Sequence, residues 1–326
     1  MTEPILSIRN LVVEIKTRHA ILKAVDCVSY DIAPGEILGV VGESGAGKSM
    51  AGNAVIGLLS KPFSVADGEI WLKGRRIDNL SREKMRRLRG KEIGVVFQDP
   101  LTSLNPLIRI GDQLVETIME HLKLSKKEAE RRAISALEEV GIPAAAKRVN
   151  SYPHEFSGGM RQRVVIALAL CAEPSLIIAD EPTTALDVSV QAQIIALLKR
   201  LCRERGTAVM LITHDMGVVA ETANRVAVMY AGRLAEIGPV RDVLTNPKHP
   251  YTDGLMGSTP AAAIGLEKLR QIPGSMPRLA RLPKGCAFSP RCNRATDKCV
   301  QDPPPDLTAG EGYAACWYSL KTECTG

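Results

Sequence analysis

The segment Gly42-Glu43-Ser44-Gly45-Ala46-Gly47-Lys48-Ser49 decides the fold of this 326-residue chain. It lies between an apolar run at residues 37–41, which predicts a buried strand, and a helical pattern over residues 49–59. Glycines at these spacings allow successive backbone N–H groups and the helix N-terminus to point at phosphate groups. Lys48 would place its charge on the β- and γ-phosphate oxygens, and Ser49 would offer its hydroxyl to Mg²⁺. The strand–loop–helix order predicts an α/β fold with a nucleotide site.

A second apolar run, residues 176–179, ends at two adjacent acids, Asp180 and Glu181. In a nucleotide site, Asp180 would hold the Mg²⁺ shell, and Glu181 would orient and polarise the attacking water. Alternatively, the two acids could stabilise the next helix through its dipole. The phosphate loop (residues 42–49) upstream in the same chain favours the catalytic interpretation.

The composition is that of a globular protein, with 45% hydrophobic and 24% charged residues. The formal charge of +6 suits phosphates or an anionic membrane surface and does not indicate nucleic acid. No secretory signal is visible, and the longest apolar run, residues 164–172, is far below the ~18 residues of a membrane span. We therefore expect any membrane role to be exerted from the surface.

Strand-like and helix-like patterns change along the chain. Residues 6–15 and 25–32 are rich in β-formers, whereas residues 126–140 have a charged helical pattern. Proline, glycine and cysteine become frequent after about residue 246. We predict a domain at 1–245 with a helical subdomain at about 99–160, and a loop-rich C-terminal extension at 246–326.

Four further motifs resemble those of the ABC-type ATPases and stand in that family's order. Ser157-Gly158-Gly159-Met160-Arg161-Gln162, just upstream of the acid-terminated strand, resembles the signature motif of that family. Gln98 resembles its Q-loop glutamine, residues 185–187 its D-loop, and His214 its switch histidine. Together with the phosphate loop and the acidic strand end, these motifs cover roughly residues 5 to 240.

The resemblance implies a P-loop NTPase cassette with a mixed sheet core, an N-terminal antiparallel β subdomain and a helical subdomain. It implies that Glu181, His214 and Gln98 are catalytic, that Ser49, Gln98 and Asp180 bind Mg²⁺, and that Asp187 belongs to the D-loop. It implies that the signature residues Ser157, Gly158, Gly159, Met160 and Gln162 act on ATP bound to a partner cassette. The implied ATP-binding residues are Gly42, Glu43, Ser44, Gly45, Ala46, Gly47, Lys48, Ser49, Met50, Gln98, Asp180 and His214.

Two departures from the family pattern are visible. Residues 13–19 lack the aromatic ring that usually stacks on adenine, so Ile15, Arg18 or His19 would replace it. The signature motif follows Phe156 instead of Leu, and it has Met160 where glutamine is common. We expect neither change to disable the motif.

The segments 246–252 and 272–277, with Leu255 and Pro260, resemble the tail of bacterial dipeptide/oligopeptide (or nickel) importer ATPases. This resemblance implies a peripheral ATPase at the cytoplasmic face of the inner membrane. It further implies two transmembrane permease subunits, a related second ATPase subunit and, indirectly, a periplasmic substrate-binding protein, without nucleic acid. Transport of nickel or another small solute stays open. A soluble non-transport ATPase and an iron–sulfur redox protein are disfavoured by the single cassette, the missing coiled coil and the intact hydrolytic motifs.

Five of the eight cysteines crowd into the tail. Cys286, Cys292, Cys299 and Cys316, spaced C-x5-C-x6-C-x16-C, predict a structural metal centre, with Cys324 spare or replacing Cys316. Zinc sites favour fewer residues between successive cysteine ligands, whereas the spacings of iron–sulfur ligands vary more widely. The family resemblance implies a [4Fe–4S] cluster, while Zn²⁺ and metal-free thiols stay open. The scattered residues Cys27, Cys171 and Cys202 are expected to be small core residues.

Overall fold

The computed structural model describes residues 3–183, 188–258, 271–305 and 312–319. Asp187, Pro260 and Cys324, which the sequence analysis named, lie outside these residues. The chain divides into two compact units, while the expected domain boundary at residues 245/246 stays a prediction. Unit 1 combines Met1–Asn79 with Ile212–Gly326, and unit 2 is Leu80–Leu211.

The strands, in chain order, are β1 (Leu6–Lys16), β2 (Ile21–Ile32), β3 (Ile37–Val41), β4 (Phe63–Leu72), β5 (Arg75–Arg76), β6 (Ile93–Val96), β7 (Leu176–Asp180), β8 (Ala208–Ile212), β9 (Arg225–Tyr230), β10 (Arg233–Pro239) and β11 (Tyr313–Ala314). The α-helices are α1 (Lys48–Val55), α2 (Arg82–Leu88), α3 (Pro100–Ser103), α4 (Ile110–His121), α5 (Lys126–Glu139), α6 (Ala145–Arg148), α7 (Gly158–Leu170), α8 (Val188–Arg205), α9 (Met216–Thr222), α10 (Val240–Thr245), α11 (Pro250–Gly257) and α12 (Asp297–Gln301). Short 3-10 helices cover Pro153–Glu155, Leu279–Arg281 and Ser289–Arg291.

The N-terminal part of unit 1 is an antiparallel sheet of order β2-β1-β4-β5, as expected for the β subdomain. Leu6, Ser7 and Ile8 are buried, and Leu11, Val12 and Val13 are buried in turn after a bulge. The bulge contains Asn10, whose φ of 47° is tolerated by asparagine. The strand therefore regains its buried positions after the register shift.

The second sheet of unit 1 contains both parallel and antiparallel pairs. β3 pairs in parallel with β9, and β10 pairs antiparallel with β9. All five residues of β3 are buried, which is typical of a parallel strand covered on both faces. β11, from the C-terminal extension, pairs Tyr313 and Ala314 with the edge of β10. The extension therefore contributes backbone hydrogen bonds to the sheet that supports the phosphate loop.

Unit 2 contains the parallel pair β6–β7 and a group of helices. Helix α5 packs against α4 and α7 through a buried stripe that includes Ala129, Ala133 and Ala136, whose small side chains permit close approach. Its first turn has a capping box between Ser125 and Glu128. The expected helical segment is present, and α7 extends it to Leu170.

Of the three scattered cysteines that were expected in the core, two are buried. Cys171 and Cys202 are buried, whereas Cys27 is exposed, so its assignment to the core was wrong. Cys27, with a φ of 54°, lies in β2 between the buried residues Asp26 and Val28, on the outward side of an alternating stretch. None of the helices in the described residues is both long enough and apolar enough to cross a bilayer.

Candidate functional site

The phosphate loop of unit 1 is shaped by glycines that no other residue could replace. Gly42 has φ 150°, and a Cβ there would lie 2.2 Å from the Met229 carbonyl oxygen. Gly47, the N-cap of α1, has φ 101°, and its Cβ would lie 2.6 Å from the Ala24 carbonyl oxygen. Backbone carbonyls of β9 and β2 thus approach the loop so closely that glycine is favoured at both positions.

Lys48 is held within the same loop. Its side chain is mostly buried, and Nζ donates hydrogen bonds to the Gly42 carbonyl at 2.7 Å and the Glu43 carbonyl at 3.1 Å. This geometry suits the predicted role of Lys48 as a contact of the β- and γ-phosphates. The buried ammonium is fixed on the loop that would bind them, so its charge lies close to the ligand.

His214 lies in unit 1 beside the strand that leads into the phosphate loop. The neighbouring Thr213 donates its backbone N–H to the Val40 carbonyl at 3.2 Å. Asp215 caps α9 by accepting from the Gly217 and Val218 N–H groups. His214 is exposed between these two anchored residues, a position that lets its ring face a ligand without disturbing the core.

In unit 2, the predicted catalytic groups are in direct contact. Gln98, which follows β6 closely, donates from Nε2 to the Glu181 Oε2 at 2.9 Å. Glu181 directly follows β7 and has φ 49°, a strained conformation for a non-glycine residue. Such strain is typical of residues held for function. Asp180 is the last residue of β7, one position before Glu181.

The signature turn, Ser157-Gly158-Gly159, opens helix α7. The Ser157 hydroxyl accepts from the Met160 N–H at 3.4 Å, and Ser157 and Gly158 are exposed. Among the described residues, a Cβ at Gly158 would meet no atom within 4 Å, whereas one at Gly159 would meet Val190 at 3.1 Å. Packing within this chain therefore explains a glycine at 159 and does not explain one at 158.

Gln162 does not share the exposure of Ser157 and Gly158. Its side chain is buried, and Nε2 donates to the Pro182 carbonyl at 2.8 Å. The contact anchors the signature helix to the residue that follows Glu181. The two residues are 20 positions apart, and nothing in their spacing indicates this link. Its role towards a partner's nucleotide stays a prediction.

The three candidates for the adenine-binding position lie at the end of β1 and in the following turn. Ile15 is half-buried, whereas Arg18 and His19 are exposed. Thr17 closes the turn by accepting from the Ala20 N–H at 3.0 Å. Which of the three contacts the base stays a prediction.

The four tail cysteines lie around one small cavity. Cys286, Cys292, Cys299 and Cys316 all line it. Burial raises the pKa of the Cys286, Cys292 and Cys316 thiols, and neighbouring thiols of the set raise it further. The Arg294 N–H donates to the Cys292 sulfur at 3.4 Å. Among the described residues, however, no three His, Cys, Asp or Glu side chains are arranged so that they could hold a metal ion.

Two contacts on the phosphate loop come from the C-terminal extension. Tyr251 and Arg291 both hydrogen-bond to Glu43, from 208 and 248 positions further along the chain. No local sequence pattern indicates these two contacts, because only the tertiary fold brings the segments together.

Comparison with known proteins agrees with these features. Residues 25–184 match the ABC transporter family model, and residues 235–299 match the model of the oligopeptide/dipeptide transporter C-terminal region. The chain is 47% identical to the dipeptide transport ATP-binding protein DppD of Bacillus subtilis, over 97% of this chain and 95% of that protein. It is 48% identical to the oligopeptide transport ATP-binding protein OppD of Escherichia coli, over 97% and 93%.

Among solved structures, the chain resembles a dimeric ATP-binding cassette in a post-hydrolysis state bound to ADP and Pi. The TM-score is 0.66 at 29% identity, covering 72% of this chain and 99% of that one. The expected P-loop cassette fold with a mixed sheet is thereby confirmed. By sequence and fold, the chain belongs to the ATP-binding proteins of oligopeptide and dipeptide ABC transporters.

Proposed function

We propose that this chain is the ATP-hydrolysing subunit of an ABC importer that takes up dipeptides or oligopeptides across the bacterial inner membrane. The observation that carries the proposal is the pairing of Gln98 with Glu181 in a chain that matches peptide-transport ATPases along nearly its full length. The chain would act at the cytoplasmic face, with two permease subunits, a related second ATPase subunit and, indirectly, a periplasmic binding protein.

In the proposed reaction, the phosphate loop and Lys48 hold the β- and γ-phosphates of ATP. Mg²⁺, when bound, would supply positive charge to those phosphates, with Ser49, Asp180 and Gln98 as its proposed protein partners. Glu181 would accept a hydrogen bond from the attacking water and polarise it, and His214 would hold the γ-phosphate. The Gln98 amide keeps the Glu181 carboxylate in one orientation, which supports this role.

A partner cassette would complete the site. Ser157 and Gly158 are exposed at the start of α7, and no atom of the described part of the chain lies within 4 Å of a Cβ at Gly158. Backbone N–H groups at a helix N-terminus are suited to a phosphate. We infer that this turn closes on ATP held by the second ATPase subunit, and that Asp187 in the D-loop takes part in the same interface.

The test is transport by the assembled complex. The chain is co-expressed with its permease and second ATPase subunits, purified, and reconstituted in proteoliposomes with the binding protein and a labelled dipeptide. Uptake should require ATP and should be abolished by Lys48→Ala. ATP-dependent uptake of Ni²⁺ in place of peptide would support the alternative solute. Failure of the chain to co-purify with any membrane subunit would contradict a transport role.

We also propose that Cys286, Cys292, Cys299 and Cys316 bind a metal centre, a [4Fe–4S] cluster in the first place and Zn²⁺ as the alternative. The proposal is supported by the four thiols that line one cavity and by the backbone N–H directed at one sulfur, although the described side chains are not arranged as a metal-holding group. Anaerobically purified protein should contain iron with acid-labile sulfide, or zinc. Serine substitution of each thiol should reduce the metal content, whereas Cys27→Ser should not. Metal-free wild-type protein would contradict the proposal.

A further inference from the structure

Glu43, the second residue of the phosphate loop, is paired with a buried arginine from the C-terminal extension. Arg291 Nη1 donates to Glu43 Oε2 at 2.9 Å. The Arg291 side chain is only 6% exposed, against 28% for Glu43, so this contact is shielded from solvent screening. The acidic side chain of the loop is thereby turned towards the extension.

Arg291 is itself fixed by several groups. Its Nε donates to the Pro273 carbonyl at 2.8 Å, and Nη1 also contacts the Tyr230 hydroxyl at 3.3 Å. Its guanidinium lies over the rings of Tyr230 and Phe288, at 5.9 and 6.0 Å. A guanidinium held in this way presents one nitrogen to Glu43 in a fixed direction, which a flexible surface arginine could not do.

Two further residues of the extension contact the same loop. The Tyr251 hydroxyl, fully buried, accepts from the Glu43 backbone N–H at 2.9 Å. Met276 lies so close that a Cβ on Gly45 would be 3.0 Å from its Cε. The extension therefore contacts the side chain and the backbone of Glu43 and covers Gly45.

A carboxylate in a loop that receives a triphosphate opposes binding, because like charges within a Debye length repel. We propose that Arg291 is a positioning residue for ATP binding, which neutralises Glu43 and holds it away from the phosphates. The C-terminal extension thus sets the affinity of the phosphate loop for ATP. This inference rests on the proposed function of the loop as an ATP site.

A double-mutant cycle in the assembled complex tests the inference, with the ATP dissociation constant as the readout. Arg291→Met should weaken ATP binding roughly 3- to 30-fold, within the usual range for coupled charges. Glu43→Gln alone should tighten binding, because the loop then carries no carboxylate that repels the phosphates. In the double variant, Glu43→Gln should remove most of the loss caused by Arg291→Met. Arg291→Lys, which keeps the charge, should lie between Arg291→Met and wild type.

Arg225→Met is the matched control. It breaks another half-buried ion pair of unit 1, with Glu36 at 3.2 Å, and does not touch the phosphate loop. It should leave ATP affinity unchanged even where it lowers Tm.

Unchanged ATP affinity in Arg291→Met would overturn the inference, and so would a double variant that binds ATP as weakly as Arg291→Met alone. If Arg291→Met does not fold, the same comparison is made with Arg291→Lys. Its ATP affinity should be lower than that of wild type, and adding Glu43→Gln should restore most of the loss. Wild-type protein and Lys48→Ala are measured in the same series. Absence of ATP binding by the folded wild type would contradict the proposed function itself.

Discussion

The side-chain amide of Gln98 donates a hydrogen bond to the carboxylate of Glu181 at 2.9 Å. One residue follows β6 and the other directly follows β7, and β6 and β7 are parallel neighbours in unit 2. Their carboxyl ends therefore lie at the same edge of the sheet, which brings together two residues that are 83 positions apart in the chain. The contact explains how a carboxylate with a strained backbone keeps one orientation.

Replacing Glu181 by glutamine should separate ATP binding from hydrolysis. Glu181→Gln preserves the shape and can still accept from Gln98, but it cannot take a proton from water. We expect kcat to fall by roughly 10²–10⁴-fold, with ATP still bound. Steady-state ATPase and equilibrium nucleotide binding check this, with Glu130→Gln on the exposed side of α5 as the control. Normal turnover would exclude Glu181 as the base.

Removing the Gln98 amide should lower turnover through Glu181. Gln98→Ala deletes a hydrogen bond to a charged group, which corresponds to a loss of roughly 10- to 100-fold in kcat, with a smaller effect on ATP affinity. Gln98→Glu places a second carboxylate beside Glu181, so its turnover should be lower still. If both variants hydrolyse ATP at the wild-type rate, the contact has no catalytic role.

The two glycines of the signature turn should respond differently to alanine. Gly158→Ala points its methyl group into open space, so Tm should not fall. ATPase activity of the assembled complex should fall by at least about tenfold, which corresponds to ~1.4 kcal/mol of lost transition-state stabilisation. Gly159→Ala would press on Val190 and should lower Tm. Full activity of Gly158→Ala would argue against closure of a partner on this turn.

Disrupting the proposed metal centre at the four tail cysteines should weaken ATP binding, because Arg291 lies between two of these cysteines. This residue ends the 3-10 helix Ser289–Arg291, between Cys286 and Cys292, so loss of order there would release Glu43. Cys292→Ser, or metal removal by a chelator under anaerobic conditions, should weaken ATP binding roughly 3- to 30-fold, as expected for Arg291→Met. Cys27→Ser should have no such effect. Unchanged ATP affinity in metal-depleted protein would show that the two sites are independent.

Glu236 should make stability depend on pH. Burial raises the pKa of Glu236 above its ordinary value of 4.5, although the backbone N–H groups of Lys248 and His249 donate to it and act in the opposite direction. The folded state therefore binds the proton more tightly than the unfolded state. The free energy of unfolding should fall as the pH rises from about 4.5 through the folded-state pKa.

Urea unfolding of wild type and Glu236→Gln across this pH range measures the effect. Relative to Glu236→Gln, wild type should lose stability as the pH rises, because glutamine does not titrate. Glu130→Gln, at an exposed site, should run parallel to wild type. A constant difference between wild type and Glu236→Gln at every pH would contradict the shifted pKa.

Much of the molecule could be predicted from local patterns. β3, β7 and α5 appear within one residue of their expected bounds, because continuous apolar runs and helical periodicity depend on neighbouring residues alone. The glycines of the phosphate loop and the acids after β7 were recognisable because their spacing is itself the chemical requirement. Cys27 was misplaced because the prediction rested on the usual burial of free cysteines, whereas its position in β2 lies on the outward side of the strand.

The sequence by itself determined the class of the protein: the order of its motifs indicates an ATPase cassette, and its tail indicates the peptide-transport branch. Only the tertiary structure decided which side chains meet. Gln98 reaches Glu181, Gln162 is buried against Pro182, and Arg291 neutralises Glu43 across 248 positions of chain. Such contacts follow from the packing of distant segments, whose energies depend on all their neighbours, and no local spacing records them.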